Sequence, residues 1–344
     1  MSTISVNDVL IGDSHPPIIV AELGINHGGD LDTAIKMADA ALTAGVKFIK
    51  NQTHNLVDEM SEEAKFTIPG NTAQSIYQVI ARNLMSEADE FELKKFIEDK
   101  GGVYFTTPFS LNSLERVKKL DVPLIKIGSG EANNYPFVKK VSSLGRPVIL
   151  STGMNTIKSI APSVAIFEQA RIPYALLHCT NLYPTPEKLV RLDAIKELKE
   201  SFPNAVVGLS DHSTSIYPCL GAVALGASIL ERHFTDDPNR EGPDIPCSST
   251  PQQLKQLIEG SHAIFLARGG EKSLLQEEDV TRNFAFSSIA AIDDISEGDI
   301  LTEENIRLMR PSGGFYGPRD FERLLGERAK INAKKGFQLP KGIT

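Results

Sequence analysis

Short apolar runs that stop abruptly on polar residues recur along most of the chain. Two late ones set the pattern: Val206-Val207-Gly208-Leu209-Ser210-Asp211-His212 and Ser228-Ile229-Leu230-Glu231-Arg232-His233, each with a histidine last. Short β-branched and leucine-rich runs predict buried strands. The Ala/Leu-rich stretch from Tyr217 to Gly226 between them predicts a helix. Strand, helix, strand is a parallel βαβ unit, whose strands finish at the same end of a sheet. His212 and His233 are therefore expected to meet in space.

The same punctuation appears six more times. Pro17 to Glu22 is a first strand, and Leu31 to Ala44 a helix with Asp30 or Asp32 as its cap and Gly45 at its end. Val46 to Gln52 is a second strand, followed by a polar excursion from Thr53 to Ala73 of the length typical of lids and binding loops. Ser75 to Leu84 and Glu87 to Lys100 read as helices. Strands then run from Gly102 into Thr106-Thr107, from Pro123 into Gly128-Ser129-Gly130-Glu131, from Pro147 into Ser151, and from Tyr174 into His178-Cys179-Thr180-Asn181. Eight strands alternating with helices predict a (β/α)8 TIM barrel over residues 1–270. A doubly wound open sheet is the alternative, but no G-x-G-x-x-G follows the first strand. In a barrel the strand ends converge on the active face. Polar residues also begin ordinary loops, but Lys50 and Lys126 ending apolar strands call for an anionic partner. After Gly270 the texture changes. Residues 271–283 read as a charged linker, and 284–344 as a small β-rich domain of Gly- and Pro-broken pieces, marginal as an independent core.

Composition narrows the class. The 344 residues are 41% hydrophobic and 23% charged, with a formal net charge of -8 and no basic run, which argues against a nucleic-acid partner. Three cysteines without a C-x-x-C suit a reducing compartment. Neither a signal peptide nor a membrane span is read, so the expected location is cytoplasmic.

Two imidazoles at one barrel mouth suit a divalent metal acting on a carbonyl oxygen. Lys50, Lys126, Ser129, Ser151, Thr107 and Asn181 are expected to cradle an anion, with Glu131 beside them to position or deprotonate a water. Metal, anion cradle and carbonyl polariser suggest condensation of a phosphorylated carbon donor with an aldehyde. A Schiff-base aldolase using Lys50 or Lys126 is a rival reading, and a non-catalytic carbohydrate-binding protein a weaker one.

Ala21-Glu22-Leu23-Gly24-Ile25-Asn26-His27, Lys50-Asn51-Gln52-Thr53-His54, Ile68-Pro69-Gly70-Asn71, Lys126-Ile127-Gly128-Ser129-Gly130-Glu131, Leu209-Ser210-Asp211-His212, Glu231-Arg232-His233-Phe234-Thr235 and Gly242-Pro243-Asp244 together resemble the bacterial N-acetylneuraminate (sialic acid) synthases. The resemblance spans nearly the whole chain. It implies a barrel followed by an antifreeze-protein-like (SAF) domain. It also implies condensation of phosphoenolpyruvate with N-acetylmannosamine and water, releasing phosphate, with Mn2+ (or Mg2+ or Co2+) as cofactor. Legionaminic acid synthases share the motifs and take a 2,4-diacetamido-2,4,6-trideoxy sugar instead.

Carried over on matching positions, the resemblance assigns the metal to His212 and His233. It assigns phosphoenolpyruvate to Lys50, Thr107, Lys126, Ser129, Ser151, Asn181 and Ser210, and the open-chain sugar to Gln52, Asn71, Tyr183 and Asp244. Glu131 handles the water that attacks C2, with Glu22 near it, and Arg310 reaches the sugar's N-acetyl group from the partner subunit of a domain-swapped homodimer. The chain departs from many members at Asn51, where they carry His, next to the sugar-contacting Gln52.

Overall fold

The computed structural model describes residues 3–70 and 72–344. The chain divides into two compact units, Met1–Arg268 and Gly269–Thr344. In the first, β1 (Thr3–Val6) and β2 (Val9–Gly12) form an antiparallel hairpin. Eight parallel strands follow: β3 (Ile18–Glu22), β4 (Phe48–Thr53), β5 (Val103–Pro108), β6 (Ile125–Ile127), β7 (Val148–Ser151), β8 (Tyr174–Cys179), β9 (Val206–Asp211) and β10 (Ile229–His233). They close as β10-β3-β4-β5-β6-β7-β8-β9, so the expected barrel is present. Six of the eight strands start a residue or two later than the apolar runs, three of them because the run opens on a proline (Pro17, Pro123, Pro147) that cannot donate to the ladder.

Helices cover the outside of the barrel where the 3.6-residue period places them. Leu31–Thr43 opens with Asp30 accepting from the Thr33 N–H, and buries Ala34, Met37, Ala38 and Ala41. The three alanines let the helix lie close to the strands. Between helices and sheet lies the larger apolar core, including Ile49, Tyr104, Leu150, Leu176 and Leu230.

Inside the barrel, side chains two residues apart on one strand stack along its axis. The lower layer is apolar, with Val20, Phe48, Phe105, Leu124, Ile149, Leu177 and Ile229, and Ile4, Val6 and Ile11 of the hairpin belong to the same cluster. The hairpin was not legible in the polar N-terminal sequence and closes the floor. Two residues further along each strand the inward positions turn polar: Glu22, Lys50, Thr107, Lys126, Ser151, Cys179, Ser210 and Glu231 are all buried. Each strand thus supplies one residue to a polar layer resting on an apolar one.

The second unit has its own core of Ile289, Ile295, Leu301, Ile306, Leu324, Leu339 and neighbours. Its sheet pairs β11 (Ser288–Ala291) with β12 (Ile306–Met309), and bridges join Ala290 to Gln338 and Ile295 to Ala333. The second half of the expected linker is a helix, Asp279–Ala285, that buries none of its side chains. Among the described residues no helix is long and apolar enough to cross a membrane.

Candidate active site

The polar layer floors a small cavity of about 140 Å³. Every residue expected to hold phosphoenolpyruvate lines it: Lys50, Thr107, Lys126, Ser129, Ser151, Asn181 and Ser210, together with Glu22, His212 and His233. Lys126 Nζ donates to Ser151 Oγ at 2.7 Å, and Lys50 Nζ to Thr107 Oγ1 at 3.3 Å. Ser129 Oγ accepts from the Gly153 N–H at 3.0 Å.

Glu231 stands at the centre of this cavity. Its Oε1 lies 3.4 Å from Lys50 Nζ and 3.3 Å from Lys126 Nζ, and accepts from Ser210 Oγ at 3.2 Å. Sequence reasoning placed Glu231 beside His233 without giving it a role. The signal was available, since Glu231 and His233 share a face of β10 by the two-residue period. Cys179 was missed for the same reason; its thiol donates to Asn181 Oδ1 at 3.3 Å.

Buried charges this close set one another's protonation. Burial pushes the Glu231 carboxyl up, but Lys126 and Lys50 outweigh it and hold it below the ordinary range. Burial likewise works against a charged Lys50, yet Glu22 and Glu231 keep its ammonium above the usual lysine range. Lys50 Nζ sits 2.7 Å from Glu22 Oε2. A lysine held charged suits an anion and not Schiff-base formation, which needs the free amine. At Lys126 burial wins and the pKa falls, helped by Lys50 and opposed by Glu231. Burial raises that of Glu22.

β9 and β10 bring the two histidines together as the βαβ unit requires, with ring centroids 5.3 Å apart. Burial lowers His212 to about 4 and takes His233 well below its ordinary value, so both rings are neutral with a lone pair available. His212 Nδ1 donates to the Thr180 carbonyl at 3.0 Å, leaving Nε2 free, the arrangement metal-binding histidines use. His233 Nδ1 is buried without a hydrogen bond, 3.5 Å from Asp244 Oδ2. Gly24, at φ +56, admits this ring, because a Cβ there would lie 2.9 Å from His233 Nδ1. Among the described residues no three His, Cys, Asp or Glu side chains form a complete metal cage. The donor set fits a divalent ion with two protein ligands and open positions. Behind the rings, Arg232 is fully buried and ion-paired to Asp211, bracing the ends of both strands.

Above the small cavity opens a larger one of about 750 Å³, sharing Gln52, Asn181, Tyr183 and His233 with it and adding Asp244. Tyr183 stacks on His212 at 4.1 Å. Ile25, Met60, Ile76, Val79, Ile80, Leu182 and several prolines make most of its wall apolar. The helix Ile76–Arg82 that supplies part of it is fixed by a Ser75–Gln78 capping box.

Three expected residues stand apart. Asn71 lies outside the described residues. Glu131 is half-buried in a 3-10 turn after β6, accepts from Asn134 Nδ2 at 2.7 Å, and does not line either cavity. Arg310 is exposed in the second unit, just after β12. Asn51 alternates with Gln52 on β4 and faces away from the cavities, its Nδ2 4.0 Å from Met85 Sδ. The departure at this position therefore lies outside both cavities.

The NeuB family model matches residues 37–273. The chain belongs to the NeuB family. Among its relatives, the N,N'-diacetyllegionaminic acid synthase of Campylobacter jejuni is 36% identical over 92% of this chain and 97% of that protein. The N-acetylneuraminate-9-phosphate synthase of Homo sapiens is 31% identical over 94% and 92%. The solved structure of an N-acetylneuraminic acid synthetase from Leptospira borgpetersenii, in complex with citrate, superposes with a TM-score of 0.75 at 31% identity, covering 81% of this chain and 95% of that one. NeuB-family relatives at similar identity thus bear names for different sugar acids.

Proposed function

We propose that this NeuB-family chain condenses phosphoenolpyruvate with an N-acetylated amino-sugar aldehyde and water, giving a nine-carbon 2-keto acid and phosphate. The observation that carries this is the polar layer itself: two buried lysines beneath two neutral, neighbouring imidazoles. Lys50 and Lys126, with Thr107, Ser129, Ser151, Asn181 and Ser210, hold the donor's phosphate and carboxylate. His212 and His233 would hold the divalent ion, Mn2+ first and Mg2+ or Co2+ in its place; when bound it supplies Lewis-acid polarisation of the acceptor's aldehyde. Gln52, Tyr183, Asp244 and, beyond the described residues, Asn71 hold the open-chain sugar.

C3 of the enol attacks the aldehyde carbon, and positive character builds at C2 next to the lysine-held phosphate. A water adds to C2 and gives up a proton toward Glu131, which stands in the turn just past Ser129; Glu22 keeps Lys50 and Gln52 in place. The tetrahedral centre then loses phosphate by C–O cleavage as its C2 hydroxyl gives up its proton, leaving the ketone; of the two protons of the added water, one ends on the acceptor's new hydroxyl and one on the departing phosphate. The second unit is read as an SAF domain, and its exposed Val280, Phe284 and Phe286 support docking on a second copy. Exchange of this unit in a homodimer would deliver Arg310 to the acceptor's N-acetyl group.

N-acetylmannosamine is the first acceptor to test. The apolar wall of the larger cavity favours a second, the 2,4-diacetamido-2,4,6-trideoxy sugar of legionaminic acid, which puts a methyl where N-acetylmannosamine puts a hydroxymethyl. Purified protein given phosphoenolpyruvate and both acceptors in competition, with product masses read out, decides between them. Phosphate release with neither acceptor consumed would refute the condensation.

A further inference from the structure

Gln52 is pinned at both ends. Its Nε2 donates to Glu22 Oε1 at 2.7 Å, and its Oε1 accepts from His54 Nε2 at 3.0 Å. The other ring nitrogen of His54 faces both carboxylate oxygens of Glu59, at 2.9 and 3.1 Å. The ring also stacks flat on Phe109, with centroids 4.4 Å apart and planes 7° from parallel. His54 and Glu59 side chains are only 5% and 11% exposed, and both line the larger cavity. Glu59 ends a four-residue helix, Leu56–Glu59, with no fully buried side chain. Leu56 and the following Met60 pack on the cluster of Ile25, Val79 and Ile80, and the bond to His54 holds the acidic end. A hydrogen-bonded string thus runs from the polar loop after β4 through His54, Gln52 and Glu22 to Lys50.

We infer that His54 and Glu59 are positioning residues for the acceptor sugar. They fix the orientation of the Gln52 amide, so that one N–H and one carbonyl lone pair are presented to the sugar in a set order. An amide free to flip would present donor and acceptor interchangeably, and a sugar hydroxyl or acetamido matched to one order loses its bond in the other. A buried histidine that merely satisfies itself needs two partners of any kind. Here one partner is the side chain through which the cavity meets its substrate. The inference rests on the proposed reading of Gln52 as an acceptor contact.

The test uses the full chain. His54→Phe keeps a ring to stack on Phe109 and loses both bonds. His54→Gln keeps a donor near the position of Nε2. Steady-state kinetics should show the acceptor KM of His54→Phe raised by roughly tenfold, the worth of about one hydrogen bond. Its KM for phosphoenolpyruvate should stay within about twofold, because Lys50 still holds Glu22, and His54→Gln should recover part of the loss. Glu59→Gln should fall between the two. A simple packing defect would lower thermal stability and move both KM values or kcat alone, and that pattern overturns the inference. If wild-type protein turns over no acceptor, the functional reading fails by itself. The positioning claim is then decided on 15N-labelled protein, where the Gln52 side-chain amide resonances should shift in His54→Phe and stay near wild type in His54→Gln; unchanged resonances in His54→Phe refute it.

Discussion

Gly153, just after β7, is where the proposed anion cradle has least room. A Cβ built on it would stand 1.7 Å from Asn181 Oδ1 and 2.9 Å from Ser129 Oγ, whereas real Cβ contacts essentially never fall below 3.0 Å. In Gly153→Ala the Asn181 amide must therefore withdraw by more than about 1 Å, and Ser129 by a little. The backbone at Gly153 is not in the left-handed region, so alanine itself is tolerated and the barrel should still fold. A misplacement of this size in a substrate-holding group costs about 10²-fold in rate, or about 2.7 kcal/mol of transition-state stabilisation. The assay is phosphate release at varied phosphoenolpyruvate, with thermal melting as the folding control. Asn181→Ala removes the obstructing group, so the double variant should be no worse than Asn181→Ala alone, a non-additivity that contact through one side chain requires. If Gly153→Ala keeps kcat/KM within about threefold of wild type, Asn181 is not part of the cradle. If the double variant falls roughly 10²-fold below Asn181→Ala, the damage runs through Ser129 instead.

Removing divalent metal with EDTA, or His212→Ala or His233→Ala, should abolish turnover, because a two-ligand site has little redundancy; full phosphate release by metal-free protein would count against the assignment. Glu231→Gln strips the shared carboxylate from Lys50 and Lys126 and should cost about 3 kcal/mol in urea unfolding, with phosphoenolpyruvate or phosphate restoring part of it by supplying the missing anion. Burial lowers the pKa of Lys126, so its ammonium is lost as pH rises through a value below the ordinary lysine range. The KM for phosphoenolpyruvate should therefore climb on the alkaline side, and a KM that stays flat until the ordinary lysine range is reached would contradict it. Mixing inactive Arg310→Ala with inactive His233→Ala should restore activity in one of two sites per mixed dimer; mixed dimers as inactive as their parents would show that Arg310 does not act across subunits.

The eight strands were readable because each is buried on both faces and so appears as an apolar run with a hard polar stop. Lys50 and Lys126 were readable because a lysine at such a stop has no bland explanation. Glu231 passed unnoticed although the two-residue period aims it inward, since it sits between an apolar run and a more conspicuous histidine. The same period shows why Asn51 and Gln52 have different fates. His54 and Glu59 could not have been paired from sequence: their bond depends on how the loop after β4 folds back. Glu131 was expected beside the cradle because it follows Ser129 so closely, but β6 stops at Ile127, the chain enters a 3-10 helix, and Glu131 lines neither cavity.

The floor beneath the polar layer gives the site a traffic rule. With the hairpin cluster below and the wide cavity above, the cradle works as a stack loaded and emptied from the top. On the proposed chemistry the donor must be seated before the acceptor covers it, and phosphate, released at the bottom, departs after the new acid. Free phosphate and phosphoenolpyruvate then compete for the same empty berth, so the cell's phosphate level becomes a throttle on how often the stack can be reloaded.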